Sequence, residues 1–360
     1  MELTTFYSPS VDDLTDTENI NFVTELPTIN PADSSQSNFI KNFNLSRHII
    51  YTIIGIIIGI SNIITLLAVV KFKYLQTPTN VLIVSLAIAD FLNAPALIMI
   101  KVRDYIDHIN ESEVYTKLVY GSALACNVVS TLMSIISFFL LSLERWLAVF
   151  YPLRFKTSVT FKKTIAVAVI SWVYGISLGG VTVLYYIWAA PFSFYQRTVF
   201  LAYLMPKPLF IFLAQGHVYF CATVSLILYI SIFIKMRRTS SALSTAESSS
   251  TVSRNSKQVT EMISITLALF ITIWLPYSIV SYYFVDLVSG TVTGFVSFQI
   301  FHYVLYSNSF INVFIYAWKS KPFRRAFFTM FGIKQDQESS GTSNTINLSH
   351  FVSMNTVPKT

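Results

Sequence analysis

Glu144 and Arg145, followed by Trp146, stand at the end of an apolar run, residues 118–143, that contains no charged side chain. An arginine beside hydrocarbon costs about 2.5 to 3.5 kcal/mol at a helix centre, so such a residue is paired, hydrated or used. The acid next to it supplies a pairing charge. Residues 147–160 bring Pro152 and two more cations, Arg154 and Lys156, which suits a short connector at a membrane surface. A second costly group is Asp90, in the middle of the apolar stretch SLAIADF (85–91). A carboxylate there calls for partners, and other apolar runs offer Asn62, Ser134, Asn308 and Asn312. Carboxylate, hydroxyl and amide oxygens are the donors a hard cation such as sodium takes. A sodium site built on Asp90, Ser134, Asn308 and Asn312 is one reading; a hydrated structural network around a protonated Asp90 is the other.

These residues need elements to position them, and composition says which. Hydrophobic residues make up 53% of the 360 positions and charged residues 12%, against about 25% charged in a soluble domain. The chain reads as an integral membrane protein. Crossing about 30 Å of hydrocarbon takes roughly 20 helical residues, and seven runs qualify: 49–70, 81–100, 118–143, 164–190, 209–234, 262–285 and 287–318. The last helix is expected to start nearer Phe295. Basic residues gather after the first, third, fifth and seventh runs, which puts the N-terminus outside and the C-terminus inside by the positive-inside rule. The net charge of +7 is thus a topology signal, and nucleic acid is not an expected partner.

Residues 1–46 are acidic and lack the apolar core of a cleavable signal, so they read as a disordered extracellular segment. Sequons at Asn44 and Asn110 fall on the outer side and are candidate glycosylation sites. Residues 47–320 hold the bundle, 321–333 an amphipathic surface helix, and 334–360 a Ser/Thr-rich cytoplasmic tail. That tail and the loop 239–256 are too polar to fold alone, and phosphorylation there would add charge. No internal repeat points to a transporter, and neither HExxH nor a paired aspartate points to an intramembrane protease; the chain is not expected to be an enzyme.

In this order, each in its own apolar run, Asn62, Leu86–Ala87–Ala89–Asp90, Glu144–Arg145–Trp146 with Pro152, Trp172, Tyr229, Phe270–Trp274–Pro276, and Asn308, Asn312 and Tyr316 followed by Phe323 and Phe327 resemble the rhodopsin-like (class A) G-protein-coupled receptors. The resemblance covers roughly residues 44–331. It implies an all-α bundle of seven transmembrane helices with an eighth helix on the membrane surface, in the plasma membrane. It also implies an activation switch made of Glu144, Arg145, Trp146, Tyr229, Phe270, Trp274, Pro276, Asn312 and Tyr316. Pro276 removes a backbone hydrogen bond and gives a hinge under Trp274. On activation Arg145 is released and the inner groove accepts a helix of a heterotrimeric G protein. Arrestin, receptor kinases and membrane lipids are further implied partners.

Several residues depart from that pattern. Glu144 and Trp146 replace the commoner aspartate and tyrosine; Val313 and Cys221 stand where prolines are usual; and Ser256 stands where many relatives carry a glutamate that pairs with the arginine. Arg145 is therefore expected to be held locally. The two cysteines, Cys126 and Cys221, both lie in membrane runs, so the usual extracellular disulfide is absent, as in some lipid and melanocortin receptors. The expected ligand-binding residues are Asn127, Thr131, His217, Trp274, Tyr277, Ser278, Tyr282, His302 and Tyr306. That lining is neutral and aromatic and suits a peptide, lipid or small neutral ligand. Asn127 matches the aspartate that holds an ammonium in aminergic relatives, which disfavours a monoamine; Tyr306 matches the retinal lysine of opsins, which disfavours retinal. No cofactor beyond the sodium ion is expected. The departures keep a second reading open, a non-signalling decoy or regulatory subunit of the same fold.

Overall fold

The computed structural model describes residues 34–106, 113–189, 216–243, 251–283 and 292–333. Among these, the chain is helical throughout, with helices α1 (Ser34–Lys71), α2 (Pro78–Ile106), α3 (Glu113–Phe150), α4 (Pro152–Ser158), α5 (Phe161–Ala189), α6 (Gly216–Leu243), α7 (Thr251–Tyr283), α8 (Val292–Lys319) and α9 (Lys321–Met330). The long helices overrun the apolar runs at most ends. Hydropathy marks only the hydrocarbon-buried part, whereas a helix once formed propagates into water while each added residue gains a hydrogen bond.

Six described helices contain stretches long and apolar enough to cross a membrane: Leu45–Lys71, Pro78–Met99, Gly121–Phe150, Phe161–Val181, Gly216–Arg238 and Gln258–Val280. The seventh, α8, carries Gln299, His302, Ser307, Asn308, Ser309 and Asn312, which dilute its hydropathy. It packs on α7 and α1 and closes the ring. It begins at Val292, between the expected start at 287 and the alternative near 295. The fifth crossing is described only from Gly216, so its expected start at 209 lies outside the described residues.

Local chemistry sets the helix ends on the α1–α2 side. The last carbonyls of α1, at Val69 and Val70, accept from Gln76 Nε2, and Leu75 O accepts from Asn80 Nδ2 at 2.6 Å. Thr77 then caps α2, its hydroxyl accepting from Asn80 N at 3.3 Å with Pro78 in the first turn, which satisfies donors that a helix start leaves open. Ser320 caps α9 in the same way, accepting from Phe323 N. Gly332, at φ 69°, takes the left-handed turn after α9 that a side chain would resist.

The bundle is drawn together where small residues let backbones approach. Gly55 and Gly59 of α1 face Ala94 and Ile98 of α2, and Gly175 and Gly179 of α5 face Met133 and Val129 of α3. A Cβ on Gly179 would stand 2.3 Å from Val129 Cγ2. Both pairs have the four-residue spacing that membrane helices use for close packing. α5 otherwise turns Ile165, Val169, Ile170, Val173 and Ile176 outward, the surface expected of a lipid-facing helix. The largest core cluster fills the inner half, with Ile135, Phe138, Leu141, Met262, Phe270, Tyr316, Phe323 and Phe327 buried together. α9 thereby joins the bundle through Phe323, Ala326 and Phe327 while Lys321 and Arg325 stay exposed.

Candidate functional site

At the inner end of α3, Glu144 and Arg145 are both buried and form an ion pair with each other. The guanidinium engages both carboxylate oxygens, through Nε and Nη2. Thr79, in the first turn of α2, closes the triangle: its hydroxyl donates to Glu144 Oε1 at 2.9 Å and accepts from Arg145 Nη2 at 2.7 Å. The Phe155 ring of α4 lies 5.9 Å from the guanidinium carbon. A buried charge pair survives only where hydrogen bonds satisfy its remaining valences, and here the hydroxyl of a neighbouring helix does so. Arg145 is thus held by its own neighbour and by α2. The side chain of Ser256 lies outside the described residues. Trp146 stacks on Phe150 at 5.0 Å, and Lys235 of α6 sits 4.4 Å over the Phe150 ring, which ties the ends of α3 and α6 together.

Above the pair, rings run from the inner core to the outer half. Phe138 and Phe270 are 4.5 Å apart, Phe270 and Trp274 5.6 Å, and Trp274 and Tyr277 6.1 Å. The series continues through Tyr277 and His302 at 5.1 Å, His302 and Tyr306 at 6.3 Å, and Tyr306 and Tyr51 at 5.9 Å. The Tyr277 hydroxyl and His302 Nε2 are 3.1 Å apart. Pro276 lies within α7, immediately after Trp274 and Leu275. A ring moved at the outer end is therefore in series with Phe270, which is packed against α3.

Between these levels lies Asp90, buried, its carboxylate accepting from Ser134 at 3.2 Å and from Asn312 Nδ2 at 3.1 Å. Ser309 also faces it. Asn312 Oδ1 is buried with no hydrogen-bond partner, and Asn308 is buried one turn away on α8. A carboxylate beside an unsatisfied amide oxygen fits a small hard cation, which would coordinate both. Among the described residues no group of three His, Cys, Asp or Glu side chains could hold a metal ion, so the donor set does not suit a transition metal.

The expected ligand-binding residues are only partly brought together. Trp274, Tyr277, His302 and Tyr306 form the ring series above. Asn127 borders it, donating to Asn93 Oδ1 at 2.9 Å and lying beside the Tyr306 hydroxyl. Thr131 is half-buried on the same face of α3, one turn from Asn127. Ser278 is buried and bonds back to Leu275 O at 3.2 Å. His217 differs: it pairs with the Tyr174 hydroxyl at 2.5 Å, on the exposed seam of α5 and α6. Asn110 and the side chains of Asn44 and Tyr282 lie outside the described residues. Tyr229 packs on the inner core with its hydroxyl buried beside Ser264, and Tyr316 lies tilted against Phe323 at 5.4 Å. Cys126 and Cys221 are both free thiols.

Sequence reasoning passed over Thr79, Tyr51, Asn93 and Gln299. Tyr51 is wholly buried and donates to Gln299 Oε1 at 2.9 Å, which links α1 to α8. A tyrosine next to an arginine-histidine step at the start of an apolar run was the available signal. Thr79 offered none beyond its place near a helix start. Asn62, by contrast, does bridge helices, donating to Ile58 O and Ser309 O. Trp172 reaches Ser85 at 3.1 Å, which in turn meets Ser137.

A ring of seven long helices with a buried polar centre, a buried glutamate–arginine pair at one end and a series of aromatic rings running toward the other is the architecture of a seven-helix membrane receptor. Comparison with known proteins agrees. Residues 61–316 match the family described as 7 transmembrane receptor (rhodopsin family). The chain belongs to that family, whose members are receptors and not enzymes. Among curated proteins it is 25% identical to trace amine-associated receptor 6 of Rattus norvegicus, over 83% of this chain and 89% of that one. It is 25% identical to the Homo sapiens protein of the same name, over 83% and 90%. It is also 25% identical to the alpha-1A adrenergic receptor of Oryzias latipes, over 78% and 67%.

Proposed function

We propose that this multi-pass membrane receptor binds an extracellular ligand in the outer half of its bundle and activates a heterotrimeric G protein at its cytoplasmic face. The observation that carries this reading is the series of rings from Tyr51 to Phe138, which joins the outer half of the bundle to its inner core. A ligand that displaces Trp274 or Tyr277 biases α7 at its Pro276 hinge, and the inner half of that helix uncovers the groove beside Arg145. The N-terminus is outside, the C-terminus inside, and the plasma membrane is the working location. A sodium ion on Asp90, Ser134 and Asn312 would hold the latched arrangement.

The relatives' names refer to amines and to adrenergic signalling, and those names describe the relatives. Here the amide of Asn127 is committed to Asn93. Among the described residues the acidic side chains are Asp90, Glu144 and Glu261, and none of these three belongs to the ring series from Trp274 to Tyr51. A non-cationic ligand, whether peptide, lipid or small molecule, suits the lining better.

The test is expression of the full chain with G-protein dissociation sensors and a screen of peptides, lipids and amines, with Arg145→Ala as control. A ligand response lost in that variant supports the reading. Silence across all sensors with surface expression confirmed sinks it in favour of a decoy or regulatory subunit, the alternative that Val313, Cys221 and the missing disulfide keep in view.

A further inference from the structure

The short helix α4, between α3 and α5, is lightly held. Pro152 opens it, no side chain caps its start at Tyr151, and none of its residues is buried. Phe155 N donates to Tyr151 O at 2.8 Å and Val159 N to Phe155 O at 2.9 Å. A helix this short is marginal in water unless tertiary packing supports it. Phe155, half-buried, sets its ring 5.9 Å from the guanidinium carbon of Arg145, while Leu153 is 83% exposed. A segment with so few buried contacts opens at a small fraction of the global unfolding free energy.

Arg154, Lys156, Thr157 and Ser158 are all exposed on this helix. Arg154 stands three residues before Thr157, a fixed, planar cation that an acidic subsite of a second protein can read. Ser158 lacks an arginine at that spacing, its third preceding residue being Phe155. Thr160 is engaged as the cap of α5, where its hydroxyl accepts from Lys163 N at 3.4 Å. Thr157 donates to Arg154 O at 3.0 Å, a bond inside α4 itself. A phosphate on that oxygen would delete the donor and set a charge of about −1.5 to −2 against the carbonyl it now satisfies. It would do so at the helix end where the backbone dipole already disfavours negative charge. The Arg154 side chain can follow the phosphate into an unwound segment, so their attraction does not hold the helix.

We infer that Thr157 is a phosphorylation site for an arginine-directed protein kinase, and that its phosphate unwinds α4 and withdraws Phe155 from Arg145. In the transfer, the Thr157 oxygen attacks the γ-phosphorus of the kinase's magnesium-bound ATP. The new O–P bond forms as the bond to the β-phosphate oxygen breaks, ADP leaves, and the hydroxyl proton passes to the kinase's catalytic aspartate. The inference rests on the cytoplasmic placement of α4 that the proposed function requires. It adds a control point beside the Glu144–Arg145 pair, separate from the Ser/Thr-rich loop and tail.

The test incubates the purified full-length receptor in detergent with magnesium ATP and the catalytic subunit of cyclic-AMP-dependent protein kinase, and locates phosphate by peptide mass spectrometry. Phosphate is expected on Thr157, absent from Thr157→Ala, retained on the new hydroxyl of Thr157→Ser, and added at least tenfold more slowly in Arg154→Gln. Amide hydrogen exchange across residues 152–159 should quicken at least tenfold in the phosphorylated protein. No phosphate on Thr157 while a control peptide is modified, phosphate confined to Ser158 or Thr160, an undiminished rate in Arg154→Gln, or unchanged exchange across α4 each overturns the inference. Detergent exposes both ends of the bundle, so these outcomes do not depend on topology. Phosphate on Thr157 in detergent but none in cells co-expressing the same kinase subunit leaves the acceptor standing and removes the cytoplasmic placement instead.

Discussion

Thr79 is the residue whose removal tests the latch most directly. Its hydroxyl makes two hydrogen bonds to buried charged groups, one to Glu144 at 2.9 Å and one from Arg145 at 2.7 Å. Hydrogen bonds to charged groups contribute about 1.5 to 3 kcal/mol each. Thr79→Val keeps the shape and deletes both, while the Glu144–Arg145 pair, which is bonded twice within itself, persists and absorbs part of the loss. A net cost of about 2 kcal/mol to the latched arrangement follows. If Arg145 leaves this site on activation, the whole of that cost favours the released state. At about 1.4 kcal/mol per tenfold, the equilibrium moves roughly 30-fold. We predict raised ligand-free output in G-protein dissociation assays at matched surface density. Thr79→Ser, which keeps the hydroxyl, should behave as the unmodified receptor, and Arg145→Ala placed on the Thr79→Val background should return output to background. Wild-type basal output from Thr79→Val at equal density would refute the reasoning, since the hydroxyl would then carry no part of the restraint.

Other predictions concern packing, ion binding and topology. Gly179→Ala should lower thermal stability by about 1 to 3 kcal/mol, as an overpacked α3–α5 contact, whereas Gly180→Ala, whose added Cβ meets nothing within 4 Å, should leave the melting temperature unchanged; equal effects would contradict the packing. Replacing choline chloride with sodium chloride should raise the melting temperature of the purified receptor by a few degrees, and Asp90→Asn should abolish the increment; an increment that survives the substitution would place the ion elsewhere. Asn110→Gln should increase gel mobility and remove one glycosidase-sensitive band if the loop after α2 is extracellular, and an unglycosylated Asn110 in an otherwise surface-exposed receptor would count against that topology.

The membrane class, the positions of most crossings and the charges that must find partners inside the bundle were legible in the sequence because they depend on local sums. Apolar transfer energy adds residue by residue, so a run such as 118–143 declares itself without reference to any other part of the chain. The same logic singles out Asp90 and Arg145, since a charge in hydrocarbon is costly whatever surrounds it. The seventh crossing was less clear for a related reason: α8 owes its place to polar residues that turn inward, and those weaken the signal that hydropathy reads.

What the tertiary structure alone decided is which groups meet. Thr79 joins Glu144 across 65 residues and Tyr51 joins Gln299 across 248, and no local sum contains either pair. His217, expected to face inward, instead meets Tyr174 at the α5–α6 seam, because the direction of a side chain depends on how its helix is rotated about its own axis. Gly55, Gly59, Gly175 and Gly179 allow the close approaches that help set those rotations. The sequence by itself determined a membrane-spanning bundle with a paired charge near one end and a polar centre, since single-residue costs are enough to demand them. The hydroxyl that completes the Glu144–Arg145 pair and the glutamine that meets Tyr51 had to await the packing, because a hydrogen bond is an energy between two atoms and exists only where helices bring them within about 3 Å.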